Sequence, residues 1–278
     1  LNRPACECKD DLPLDNEGNP KGDGVPDNPD CCVMELFDPN LKGDQGDSFF
    51  AWALANVGQV SGTSTAKGEL VVGVYRQNVD YNTDGDFLDP KEQNTGTVRL
   101  FDGATGSQLG ADWVPPFDKA QDRGEFGCAV AAAGDFAGGL NPEVLVSAPG
   151  ELGNDDTITG RVFLYQDNDP SQLLLVLEGT QQGSQFGRAL AGSFDFNGDT
   201  VVDFAVGVPE QNGIHPVTEE PTTESGLILV FSGARARNGE AYTLIGVRGH
   251  ASGDGVGSSV ISLGNINGDR YSFRRELY

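Results

Sequence analysis

Asp195, Asn197, Asp199 and Asp203 stand at positions 1, 3, 5 and 9 of one short segment, with Gly198 between the second and third of them. Alternating side-chain oxygens in a tight loop converge on one point, and Val201 at position 7 adds its backbone carbonyl. Such a set suits a hard cation. Ca²⁺, with about six to eight oxygen ligands in flexible geometry, fits it better than Mg²⁺, which demands a near-ideal octahedron. The competing reading is a solvated Asp-rich turn.

Two further segments carry related patterns. Asp80-Tyr-Asn82-Thr-Asp84-Gly-Asp86-Phe-Leu-Asp89 opens D-x-N-x-D-G, as an EF-hand-like calcium loop does. Position 12, where a bidentate Glu would stand, is Lys91, so Asp89 or Glu92 is left to close the shell. Asn265, Asn267 and Asp269 repeat the first three ligand positions, but Phe273 takes position 9. With one carboxylate left, that loop is expected to bind Ca²⁺ more weakly. The loop from Asp135 to Glu143 keeps only its outer two ligands, and the one from Gln59 keeps Ser61 and Thr63 beside an insertion. Both are expected to be empty.

Groups suited to catalysis are sparse. The two histidines, His215 and His250, lie in Gly- or Pro-flanked stretches and belong to no HExxH or HxH pattern. There is no GxSxG elbow and no phosphate-cradling GxxxxGK[ST]. Carboxylates are so numerous that some pair must fall at glycosidase spacing by chance, which makes paired acids uninformative. Trp52 and Trp113 have the chemistry to stack on a sugar, but Trp52 alternates inward along an apolar run and reads as core.

The elements that must position these loops follow from composition and spacing. The chain carries 42 acidic against 18 basic residues, a formal net charge of −24. Nucleic-acid binding needs the opposite sign, and anionic lipid surfaces repel such a chain. No apolar run approaches the roughly 20 residues of a membrane-spanning helix. The hydrophobic 37% falls in short, evenly spaced runs, which argues against disorder, and 39 glycines favour many tight turns between strands.

Those runs repeat. FFAWALANVG, FGCAVAAAGDF, FGRALAGSFDF and VGSSVISLGNI align with Phe50, Phe126, Phe186 and Val256 in one register, 76, 60 and 70 residues apart. Behind the first three anchors come ELVVGVY, EVLVSAP and DFAVGVP, then GTVRLFDG, GRVFLYQD and GLILVFSG. LLLVLEG and TLIGVRG form a less regular fourth block. Short β-branched and aromatic runs bounded by Gly, Pro, Asn and Asp are strands. About four strands per repeat is the arithmetic of a propeller blade, against an ordinary β-sandwich as the bland alternative.

Phe126-Gly127 with Ser147-Ala148-Pro149, and Phe186-Gly187 with Gly207-Val208-Pro209, resemble the FG-GAP repeat of integrin α-subunit propellers and related bacterial secreted proteins. The first copy is degenerate (Phe50-Ala51, Gly73-Val74-Tyr75), and the last departs after Val256-Gly257. The resemblance implies an all-β propeller, of about seven blades in the family, with Ca²⁺ in some loops and recognition through loops on one face. The Asp195 loop matches the family's calcium motif at every ligand position.

The expected organisation is an irregular Cys-rich segment over residues 1–46 and FG-GAP blades over 47–278. Three blades are complete (47–120, 121–180, 181–249) and a fourth begins (250–278). The fourth stops before its second strand, so further polypeptide is expected to complete it. Leu1 in place of Met points to a processed start or a fragment. Cys6, Cys8, Cys31 and Cys32 lie in a stretch too poor in apolar residues to build a core, which favours disulfides in an oxidising compartment over a metal knuckle. Cys128 reads as a buried free thiol. Asn19 to Cys31 resembles a thrombospondin type 3 repeat, with Lys21 in place of a ligand.

The functional expectation is a secreted, cell-surface or periplasmic calcium-binding module that acts without catalysis in adhesion, protein interaction or structure. Its expected partner is a protein or another copy of itself. The alternatives are a propeller-type polysaccharide lyase or hydrolase, or its accessory domain, and a carbohydrate-binding lectin.

Overall fold

The computed structural model describes residues 48–58 and 68–263, apart from 104, 117, 119, 139, 140, 154–156, 167 and 168. The Cys-rich segment and its four cysteines, and the loop of Asn265, Asn267 and Asp269, lie outside the described residues. The described part is all-β. In chain order the strands are β1 (Phe50–Asn56), β2 (Leu70–Val74), β3 (Thr97–Phe101), β4 (Val130–Gly134), β5 (Glu143–Ala148), β6 (Arg161–Tyr165) and β7 (Leu173–Glu178). They continue with β8 (Ala189–Phe194), β9 (Asp203–Val208), β10 (Gly213–Ile214), β11 (Pro221–Thr222), β12 (Leu227–Phe231) and β13 (Thr243–Arg248). One turn of helix, α1 (Gly233–Ala236), interrupts them.

Pairing is antiparallel between neighbours. The sheets run β1-β2-β3, β4-β5-β6-β7 and β8-β9-β12-β13, with β10-β11 as a separate hairpin. The second and third sheets have the four strands that the repeat predicts. The first has three. Its outer edge is held instead by isolated bridges from Phe101 to Gln108 and from Val98 to Trp113. The Trp113-Val-Pro115-Pro116 stretch explains the difference, because proline has no amide to give to a ladder.

Side-chain alternation shows how the sheets bury one another. On β5 and β6, Val144, Val146, Ala148, Phe163 and Tyr165 pack with Val71, Val98, Leu100 and Trp113 of the first sheet and its edge. Leu145, Val162 and Leu164 point the other way, into Leu190, Phe204, Val206 and Phe231 of the third. The middle sheet is therefore buried on both faces, which is why β5 and β6 read as unbroken apolar runs. Each buried Val, Leu or Phe is worth about 1.5–3 kcal/mol. The first strands carry the contact, with β4 packed against both β1 and β8.

The repeated Phe-Gly pair sutures one sheet to the next. The Phe126 amide donates to the Thr95 carbonyl at 2.8 Å, just before β3 of the preceding sheet. The Gly127 amide donates to Ser147 on β5 of its own sheet, also at 2.8 Å. Phe186 and Gly187 repeat both bonds, to Thr159 at 3.4 Å and to Gly207 at 3.1 Å. Val256 repeats the first, to Ser225 at 3.2 Å. Backbones approach so closely here that a Cβ on Gly73 would strike the Gly127 carbonyl oxygen, and one on Gly207 would strike that of Gly257. This is the physical content of the repeat: two glycines face each other at two of the sutures, and Gly187 faces Ser147 at the one between them.

Trp52 departs from its expected place. It is 48% exposed, stacked at an angle on Tyr75 with ring centroids 5.0 Å apart and edge-on to Phe49 at 5.9 Å. Strand alternation fixes which residues share a face, but not whether anything covers that face. Cys128 is a buried free thiol, as expected, and Arg188 Nη1 donates to its Sγ at 3.1 Å.

Gly207→Ala should lower the unfolding free energy by about 2–3 kcal/mol, since the facing backbone cannot yield. Gly110→Ala, at φ +73° with open space around it, should cost only about 1 kcal/mol of backbone strain. Urea unfolding of the two variants checks the pair.

Candidate functional site

The Asp195 loop joins β8 to β9. Its conformation is written by short side chains that bond their own backbone. Asp195 Oδ1 accepts the Gly198 amide at 2.7 Å and Oδ2 accepts that of Thr200 at 2.9 Å. Asn197 Oδ1 accepts the Asp199 amide and Asp199 Oδ1 that of Val201, each at 2.9 Å. Asn197 Nδ2 donates to Asp199 Oδ2 at 2.9 Å. Gly198 at φ +78° makes the tight turn.

Asp203, the first residue of β9, is fully buried and locks the loop to the sheet. Its Oδ2 accepts the Phe196 amide at 2.8 Å and its Oδ1 accepts that of Gly233, at the start of α1, at 3.0 Å. Burial raises its pKa, the two amides oppose the rise, and the neighbouring carboxylates of Asp199 and Asp195 add to it. Val201 and Val202 pack against the core beneath.

The Asp80 loop, between β2 and β3, has the same hydrogen-bond pattern position for position. Asp80 Oδ1 accepts the Thr83 amide at 2.5 Å and Oδ2 that of Gly85 at 3.0 Å. Asn82 Oδ1 accepts the Asp84 amide and Asp84 Oδ1 that of Asp86, each at 3.0 Å. Asp86 Oδ1 takes the Leu88 amide at 2.9 Å. Asn82 Nδ2 donates to Asp84 Oδ2 at 3.0 Å and to Asp89 Oδ2 at 2.5 Å.

The loop lacking the middle ligands keeps only part of this. Gly138 donates to Asp135 Oδ1 at 3.2 Å, and buried Glu143 accepts Phe136 at 2.9 Å and Ala137 at 3.3 Å. Among the described residues, no three acidic, His or Cys side chains already converge on one point. In the two full loops the carboxylates are turned on to backbone amides. An ionised carboxylate has about four lone-pair sites, so accepting an amide leaves capacity for a cation.

The histidines have other work. His215 Nδ1 accepts the Val217 and Thr218 amides at 3.2 and 3.1 Å and so forms a turn. His250 is exposed, and its amide donates to Asp254 at 2.8 Å.

One buried acid escaped notice in the sequence. Glu151 is fully buried, and neither side-chain oxygen makes a well-formed hydrogen bond. Burial raises its pKa to about 8, against the pull of Arg161, Lys91 and the Gln121 backbone amide. The signal lay in the register: counted from the second strand, Glu151 stands where Gln77 and Gln211 stand in the other copies. All three carbonyls accept the amide of the glycine before the next strand, Gly96, Gly160 and Gly226, at 2.9 to 3.0 Å. A protonated Glu151 is as neutral as the glutamines.

No protein-family model matches the chain. It is similar to integrin alpha-10 of Homo sapiens, 32% identical over 123 residues. The match covers 42% of this chain and 9% of that protein, so the chain spans less than a tenth of this relative's length. The relation is distant and integrin-like, and the all-β sheets are compatible with it. No helix among the described residues is long and apolar enough to cross a membrane.

Glu151 sets a pH dependence. Its folded-state pKa lies above its ordinary value of 4.5, so the folded protein holds a proton that the unfolded chain releases. Its contribution is fully present below pH 4.5 and is lost as pH rises to about 8. Glu151→Gln should therefore match the parent near pH 4.5 and exceed it by up to a few kcal/mol above pH 8, at about 1.4 kcal/mol per pKa unit. Denaturant unfolding of both proteins across that range reads the difference directly.

Proposed function

We propose that the chain is part of an extracellular, calcium-binding FG-GAP β-propeller that serves as a non-catalytic adhesion, protein-interaction or structural module. The three sheets are its blades. The observation that carries this reading is the Phe-Gly suture between successive sheets, repeated with the same donors and acceptors, beside an aspartate loop at the head of a blade. The similarity to an integrin alpha subunit supports the same class of role and favours a protein partner, another copy of the chain included. The net charge of −24 accords with a setting rich in divalent cations.

In this reading Ca²⁺ sits at the Asp195 loop, held by Asp195, Asn197, Asp199, the Val201 carbonyl and Asp203. The ion would neutralise three clustered carboxylates and tie the β8–β9 turn to its blade. The loop of Asn265, Asn267 and Asp269 is a weaker site of the same kind.

One observation favours a second reading. Trp52 stands half-exposed beside Tyr75 and Phe49, with the Arg76 guanidinium 5.0 Å from the Phe49 ring centroid. Exposed rings of this kind stack on sugars, so a lectin-like role follows from the same surface.

Calcium should raise the melting temperature, chelator should reverse the rise, and Asp199→Ala should abolish most of it. A chelator-insensitive parent would sink the calcium reading of this loop. A glycan array, run with Trp52→Ala beside a panel of polysaccharide substrates, separates the roles. Trp52-dependent glycan binding would establish the lectin reading, and turnover lost with a single carboxylate would overturn the non-catalytic one.

A further inference from the structure

The Asp80 loop lies outside the register of the repeat, in the insertion between β2 and β3, and one residue sets it apart from an ordinary Asp-rich turn. Glu92 is 1% exposed. Its Oε1 accepts the amide of Tyr81, the second residue of the loop, at 3.1 Å. That bond is the counterpart of Phe196 to Asp203 and of Phe136 to Glu143. Glu92 is thus the carboxylate that closes this loop, three residues beyond Asp89 and at no position that an EF-hand pattern would name.

The counterparts differ in their second oxygen. Asp203 Oδ1 is taken by the Gly233 amide and Glu143 Oε1 by that of Ala137. Glu92 Oε2 is buried and has no hydrogen-bond partner. The Tyr81 bond holds the carboxylate against the loop. A carboxylate oxygen buried without a partner costs more than a neutral group so buried, because its charge is desolvated as well. Four more carboxylates, on Asp80, Asp84, Asp86 and Asp89, crowd the same loop. A cation answers both features: it is the missing partner of Oε2 and the counter-charge of the loop.

We propose that the Asp80 loop is a second divalent-cation site, selective for Ca²⁺, in which Glu92 is the buried closing ligand. Asp80, Asn82 and Asp84 supply the alternating side-chain oxygens and Asp86 its backbone carbonyl. An all-oxygen ligand set drawn from one irregular loop, which imposes no ideal octahedron, selects Ca²⁺ over Mg²⁺. The site goes beyond the calcium reading of the Asp195 loop and stands or falls independently of it.

Tb³⁺ replaces Ca²⁺ at oxygen sites, and Tyr81 lies within the loop to sensitise its emission, whereas the Asp195 loop offers Phe196 at that position. The experiment uses the full chain carrying Asp199→Ala, which disables the Asp195 loop. Tyrosine-excited Tb³⁺ emission should saturate, be displaced by Ca²⁺ and resist Mg²⁺. Tyr81→Phe should remove most of the emission while calorimetry still detects binding. Glu92→Gln keeps an oxygen for the Tyr81 amide but loses the charge, and should weaken binding by about tenfold or more. Asp84→Asn, at an exposed position that cannot disturb the core, should weaken it too. Unchanged affinity in both variants, or emission indifferent to Tyr81→Phe, would overturn the proposal. If instead the Asp195 reading fails, Asp199→Ala will leave the calcium stoichiometry of the parent unchanged while Glu92→Gln still lowers it.

Discussion

Everything in this fold depends on how closely one sheet's backbone approaches the next. At the sutures the glycines at 73 and 127, and at 207 and 257, meet with no room for a Cβ on Gly73 or Gly207. That approach lets a single amide reach back to the preceding sheet while the next amide bonds its own second strand. Packing then follows without further instruction. The middle sheet has apolar side chains on both faces because both faces meet a neighbour, and the hydrophobic effect outweighs the cost of strands with no solvated side.

The loops are what this arrangement leaves free. The Asp195 loop sits at a strand end, directly after β8, and the Asp80 loop lies in the insertion that joins β2 to β3. Each is rigid before any ion arrives, because its Asp and Asn side chains bond the loop's own amides. Rigidity of that kind lowers the ordering cost of binding. A buried acid closes each loop, Asp203 at the start of β9 in one and Glu92 within the β2–β3 insertion in the other. Two unrelated positions in the repeat have thus arrived at one loop geometry, and a local mechanism explains it: a short acidic side chain every second residue suffices to make the turn.

Much of this was legible in the residues. Phe126-Gly127 and Phe186-Gly187 announced themselves because close approach tolerates few side chains. The aspartate loops were equally plain, since their hydrogen bonds span no more than five residues. What escaped the sequence depended on the third dimension. Trp52 was placed inside because alternation gives a period and not a cover. The first sheet's irregular edge hung on two prolines whose effect depends on where the ladder would run. Glu151 carried a signal, the glutamines at the same register in its sister copies, but its meaning needed its burial. Spacing leaves both Asp89 and Glu92 open as the closing carboxylate of the Asp80 loop, and only the Tyr81 amide and the burial of Glu92 decide between them.

The central claim is that the stacked sheets hold two prebuilt cation loops, each closed by a buried carboxylate. Anomalous scattering from crystals grown in millimolar Ca²⁺ tests it most directly. The account predicts one ion among Asp195, Asn197, Asp199 and Asp203, and another in contact with Glu92 Oε2 and the Asp80 loop. Well-ordered loops with no anomalous peak at either position would contradict it.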